Sequence, residues 1–177
     1  MSRTAAAEQL DDLIVEPDPD AFARAVVRST SAALMMVDRD LTIIDLNDAT
    51  RALLKANEAA FARAFPGVAL DRMVGTSIDV FHKDPSHQRA MLAQPLARPH
   101  LAEISVGDLR FALRVMSVLD AGGDYVGNVL EWNDVTELRK HAGMLEALSK
   151  AQAVIEFGMD GTIQHANGNF LATVGYR

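Results

Sequence analysis

The chain has 177 residues, 49% of them apolar and 23% charged, with a formal net charge of −7. This is ordinary globular composition, and an acidic chain without a basic tract argues against nucleic acid and anionic membranes as partners. It contains no cysteine, which excludes disulfides, thiolate metal sites, cysteine nucleophiles and flavin–cysteine photochemistry.

In chain order, residues 3–15 carry Leu10, Leu13 and Ile14 at helical spacing, and the run ends in the break Glu16–Asp20. Asp20 then caps a second short helix with Phe22, Val26 and Val27 on one face. The period changes to that of strands over Ala33–Val37 and Leu41–Leu46, joined by the polar turn Asp38-Arg39-Asp40, which is a hairpin signal. Asp48–Phe65 is rich in alanine and leucine and predicts one or two helices stopped at Pro66-Gly67. A helix of about ten residues follows Asp84-Pro85. Three strand-like runs come next, His100–Val106, Leu109–Leu119 and Tyr125–Trp132, with Gly107-Asp108 and Ala121–Asp124 at their turns. From Thr136 the pattern returns to helix, where Leu138, His141, Leu145 and Leu148 approximate a short heptad seam.

The longest strictly apolar run, Ala32–Val37, is far too short to cross a bilayer, which needs about 20 residues. The acidic N-terminus has no signal-peptide core. Both point to a cytoplasmic chain with no membrane insertion.

The last segment repeats an earlier one. Asp40–Asn47, "DLTIIDLN", recurs as "DGTIQHAN" at Asp160–Asn167, 120 residues on, and each copy follows an apolar strand. The expected organisation is an N-terminal helical segment over 1–30, a complete module over 31–136, a connector helix over 137–151 and the start of a second module over 152–177. The fold class is α+β: a five-stranded antiparallel sheet with helices on one face.

The stretch with the most chemistry is "SIDVFHKDPSHQRAML" (Ser77–Leu92), which carries His82 and His87 around Asp84-Pro85. Asp84 is a good N-cap and Pro85 a good first helical residue, so His82 precedes the helix and His87 lies in its first turn. On a continuous helix five residues turn through about 140°, and only i,i+4 pairs share a face, so the two imidazoles do not form a simple two-histidine metal site. Trp132 falls on the strand set Val126, Asn128, Leu130 and Trp132, which is expected to face the helices. Nucleotide-binding glycine motifs, the metalloprotease H-E-x-x-H and the hydrolase nucleophile elbow are all missing, and no enzymatic activity is expected.

"VDRDLTIIDLNDAT" and "NDVTE" resemble the opening hairpin and the closing strand-to-helix element of PAS domains. "GTSIDVFHKDPSHQ", "AEISVG" and "GNVLEWNDVTE" are similar to PAS modules of bacterial methyl-accepting chemotaxis receptors of the aerotaxis type, some of which bind b-type haem and sense oxygen. The resemblance implies His82 as axial ligand of haem iron, Trp132 facing the gas pocket and Leu113 lining it. His87 is then either a polar contact to a haem propionate or a solvent-facing residue. The same likeness implies a diatomic gas ligand, self-association as a homodimer and signalling domains downstream. The rival reading is a PAS module holding FAD or a small metabolite, or a cofactor-free dimerisation and relay domain.

Overall fold

The computed structural model describes residues 18–175, so the helix predicted over residues 3–15 lies outside the described residues. The described chain opens on α1 (Pro19–Ser29). Its cap is Asp18 rather than Asp20: the carboxylate accepts the Asp20 N–H at 3.0 Å. Pro19 then fills a position where a missing N–H costs nothing.

Strand β1 (Ala33–Asp38) buries Ala33, Met35 and Val37 on alternate positions. The Asp38 carboxylate accepts the N–H groups of Asp40 and Thr42 at 2.9 and 2.8 Å and turns the chain into β2 (Ile43–Leu46). Leu41 in this turn has φ 65° and a side chain only 3% exposed. Burial of the side chain offsets a left-handed conformation that costs roughly 1–2 kcal/mol.

Asn47 caps α2 (Asp48–Ala56) by accepting the Thr50 N–H at 3.0 Å. A break at Asn57 separates α2 from α3 (Glu58–Ala64), where the Asn57 side chain donates to Leu53 O at 3.0 Å. Two single turns of 3-10 helix, Leu70–Arg72 and Ile78–Phe81, lead to α4 (Ser86–Leu92), which is shorter than the sequence suggests.

Strands β3 (His100–Val106), β4 (Leu109–Leu119) and β5 (Tyr125–Asp134) coincide with the three predicted runs. They complete a five-stranded sheet of order β2-β1-β5-β4-β3, so the last strand in sequence lies beside the first. In the antiparallel β1–β5 pair Ala33 faces Trp132, Met35 faces Leu130 and Val37 faces Asn128. Gly127, at φ 155°, allows this pairing, since a Cβ there would lie 2.2 Å from the Val37 carbonyl oxygen.

The chain divides into two compact units, residues up to 102 with 113–133, and residues 103–112 with those from 134 on. The first holds a core of Met35, Val37, Ile43, Leu54, Phe61, Ile78, Leu130 and Trp132. In the second, Asp134 and Thr136 start α5 (Thr136–Ala151). Asp134 accepts the Thr136 N–H at 2.9 Å, and the Thr136 hydroxyl oxygen accepts the Arg110 N–H at 2.9 Å. Arg139 on α5 pairs with Glu103.

The second unit continues with β6 (Ile155–Phe157), β7 (Ile163–Ala166) and α6 (Gly168–Val174). The sequence repeat is a structural repeat. Met35, Met36 and Val37 pair with Leu46, Asp45 and Ile43, and the residues 120 positions on pair in the same way with the bulge at the same place. Asn47 and Asn167 also bond alike. Each side-chain oxygen accepts one backbone N–H at 2.9 Å, that of Leu34 or of Val154, and caps the following helix. Each amide donates back to the segment before the hairpin: Asn47 to Val27 O and Ala32 O, Asn167 to Ser149 O and Gln152 O. Among the described residues no helix is long and apolar enough to cross a membrane.

Candidate functional site

The Ile78–Phe81 turn begins where the Ser77 hydroxyl accepts the Asp79 N–H at 3.2 Å, and the buried Ile78 anchors it. His82 ends the turn with extended backbone, φ −121° and ψ 131°. Its Nδ1 lies 2.9 Å from the Ile78 carbonyl oxygen. A carbonyl only accepts, so Nδ1 is the donor in this contact, and in the neutral tautomer that makes it, Nε2 is the nitrogen with the lone pair. This second contact is the one that orients metal-ligating histidines and raises their basicity. The ring is half-buried.

His87 lies in α4 and is exposed. The helix starts at Ser86, one residue later than Pro85, and Asp84 accepts the Ser86 N–H at 3.0 Å. The Ser86 hydroxyl and backbone N–H, with a smaller pull from His87, hold the Asp84 carboxyl below its ordinary value.

Trp132 is buried on β5. Its ring lies 6.3 Å from Phe61; Phe61 lies 6.1 Å from Phe65, and Phe65 meets Phe81 edge-on at 5.1 Å. These are favourable aromatic separations. An apolar chain of rings therefore runs from β5 to Phe81, the neighbour of His82. Leu113 is half-buried, and strand alternation places it with Val115 and Ser117. The Ser117 hydroxyl bonds Asn128 Oδ1 at 3.1 Å, and Asn128 shares its alternation set with Leu130 and Trp132. Leu113 and Trp132 thus belong to one face of the sheet. Val126 belongs to that set but is 42% exposed at the strand's beginning.

A cavity of about 320 Å³ is lined by Arg51, Leu54, Lys55, Glu58, Leu70 and Asp71 and by none of the four predicted site residues. Among the described residues no cluster of three or more histidine, aspartate or glutamate side chains is arranged to hold a metal ion. The donor set is one imidazole beside aromatic surface. That fits a planar apolar group whose metal needs one axial ligand from the protein.

Sequence reading missed a polar circuit on the same sheet face. The Leu96 N–H donates to Ser117 Oγ at 2.8 Å, Asn128 Nδ2 donates to the Tyr125 hydroxyl at 2.6 Å, and that hydroxyl donates to Leu92 O at 2.9 Å. Asn128 is 1% exposed, and an asparagine inside an apolar alternation set was the available signal. The pairing of Asp79 with Arg89 on α4 was also missed. An acid and a base ten positions apart across an Asp-Pro break carry no local periodicity.

A family model described as a PAS domain matches residues 21–87. The methyl-accepting chemotaxis protein McpB of Pseudomonas aeruginosa is 34% identical over 138 residues, which is 78% of this chain. This chain spans 20% of the length of that receptor. Biofilm dispersion protein BdlA of the same organism is 59% identical over 32 residues, 18% of this chain and 8% of its own. Among solved structures, the Aer2 receptor from Vibrio cholerae, described as a dual PAS-haem oxygen sensor, matches with a TM-score of 0.57 at 40% identity. That match covers 59% of this chain and 95% of the Aer2 chain. An RNA-binding light-oxygen-voltage receptor matches with a TM-score of 0.53 at 19% identity, over 78% of this chain and 39% of its own, which is a likeness of fold alone. With a five-stranded antiparallel sheet in this order and a duplicated opening hairpin, the chain belongs to the PAS domain family.

Proposed function

We propose that this chain is the sensory part of a chemotaxis receptor, that it binds b-type haem through His82 and that it senses oxygen or another diatomic gas. The observation that carries this reading is the His82–Ile78 contact, which leaves Nε2 as the free donor. The 40% identity to the Vibrio cholerae haem-containing receptor supports it. PAS domains of chemoreceptors are signalling modules and not enzymes.

When bound, the haem supplies an iron with a coordination position open to a diatomic gas. The chain supplies the rest. His82 would hold the iron through its imidazole, and Phe81, Phe65 and Phe61 would provide apolar surface that excludes water. Leu113 adds an apolar wall on the sheet. Trp132 adds an indole N–H, a donor without acceptor capacity, suited to partial negative charge. His87, exposed at the start of α4, is placed for a propionate carboxylate at the rim. Residues 31–136 form the sensing module, 137–151 the connector to a second PAS module from 152, and the chain works in the cytoplasm as a homodimer.

The test is the absorption spectrum of the purified chain after haem reconstitution. A Soret band is expected, and it should be lost in His82→Ala. Flavin absorption in the purified chain, or a Soret band unchanged in His82→Ala, would overturn the reading.

A further inference from the structure

The turn that carries His82 is weakly tied from within. Its backbone bonds are Val80 N–H to Ser77 O at 3.4 Å and His82 N–H to Asp79 O at 2.9 Å. Single 3-10 turns have poor hydrogen-bond geometry, and neighbouring elements must supply support. The front of this one is anchored, because Ile78 is 3% exposed and its N–H donates to Leu41 O at 2.9 Å. The back is gripped from α4. Arg89 Nε donates to Asp79 Oδ2 at 2.9 Å, and Arg89 Nη2 donates to the same oxygen. The other carboxylate oxygen, Asp79 Oδ1, is buried and has no hydrogen-bond partner among the described residues. The Asp79 side chain is 22% exposed and that of Arg89 52%, so the pair's worth here is less in stability than in direction: the guanidinium holds the carboxylate on the α4 side of the turn.

We propose that Asp79 and Arg89 are positioning residues for His82, an inference that rests on the haem-ligand reading above. The Ile78 carbonyl belongs to the peptide that enters Asp79, so the direction of that carbonyl follows the Asp79 backbone. Two contacts fix that backbone: the Ser77 hydroxyl on the Asp79 N–H and the Arg89 clamp on its side chain. With the carbonyl fixed, His82 donates from Nδ1 and presents Nε2 unprotonated. If Arg89 is removed, the carboxylate turns toward water, the peptide plane tilts and the imidazole loses its acceptor. Neither residue touches the iron; both act through the orientation and tautomer of His82.

The clamp is tested in the haem-free chain, where ring nitrogen-15 chemical shifts report which imidazole nitrogen of His82 carries the proton. Wild type is expected to show the Nδ1–H form. Arg89→Ala should shift it toward the Nε2–H form of an unrestrained histidine. Asp79→Asn keeps the side-chain shape but weakens the charge-assisted grip, and should shift it part-way. Arg89→Lys, which restores a cation, should recover much of the wild-type signal. On adding haemin to the same samples, Soret titration should show affinity about 10–100-fold weaker in Arg89→Ala.

A folded Arg89→Ala and a folded Asp79→Asn that both keep the wild-type tautomer would overturn the clamp. So would a wild type that is not Nδ1–H. If Arg89→Ala does not fold, Asp79→Asn decides. If wild type takes up no haem, or His82→Ala takes it up equally well, the haem reading falls while the tautomer readout still judges the clamp.

Discussion

At the scale of single residues, Trp132 separates packing from chemistry. Its ring closes the core against Phe61, while its N–H is the group assigned to the gas side. Trp132→Phe keeps most of the ring and removes the donor. It should leave denaturant stability nearly unchanged yet alter oxygen affinity and autoxidation of the haem-loaded chain. Trp132→Ala should cost about 3–5 kcal/mol in urea unfolding, the usual penalty for deleting a large buried aromatic. If Trp132→Phe leaves gas affinity and autoxidation at wild-type values, the gas-side role is wrong. The face on which Trp132 lies was legible in sequence, because strand alternation sets it. His82 was legible only as a residue ahead of a helix start. What orients its ring is the Ile78 carbonyl four residues back, and no spacing rule places that carbonyl.

At the scale of elements, Gly127 marks the closest approach of β5 to β1. Gly127→Ala would drive a Cβ to 2.2 Å from the Val37 carbonyl oxygen at φ 155°, and the clash is with backbone, which cannot swing aside. A loss of about 1–3 kcal/mol is expected from overpacking, read as a lower thermal midpoint. Helix α5 yields a pH prediction. The Lys140 side chain holds the Glu137 carboxyl below its ordinary 4.5, and Lys150 does the same for Glu146. Depressed carboxyl values stabilise the fold above the ordinary value, and that contribution is lost as pH falls through the folded one. Glu137 in turn raises Lys140 above its ordinary 10.5. That contribution is present below the ordinary value and lost as pH rises through the raised one. Helical circular dichroism should therefore be flat between these limits and decline on both sides, most at the acid end where two carboxylates titrate. These pairs are fully exposed, so added salt should flatten the effect.

For the molecule as a whole, the two copies of the opening hairpin share register, bulge and capping asparagine but not burial. Met35, Val37 and Ile43 are at most 1% exposed. In the second copy Phe157 and Ile163 are 59% and 63% exposed, and Asn167 is the buried residue. Apolar burial is the main favourable term in folding; within residues 152–175 the second copy has little of it and is tied chiefly by Asn167 to Ser149 O and Gln152 O. Backbone amides of β6, β7 and α6 should exchange with solvent orders of magnitude faster than those of β1 and β5. Hydrogen exchange followed by mass spectrometry checks this, and equal protection in both hairpins would contradict it.

Sequence by itself determined the strands, the hairpin repeat and the helix from Thr136. These follow from local chemistry: alternation, turn residues, caps and a 120-residue self-match read the same whatever the chain packs against. It also set the two histidines on either side of a helix start, because the Asp84-Pro85 break is a local event. Only tertiary structure decided which groups meet. The Arg89 grip on Asp79, the Ser117–Asn128–Tyr125 circuit, the rings joining Phe81 to Trp132 and the close pass at Gly127 each join residues from different elements. Their partners are chosen by the order β2-β1-β5-β4-β3, which inserts the last strand beside the first. That choice comes from burying one continuous apolar face, and its outcome is a property of the packed sheet and not of any one segment.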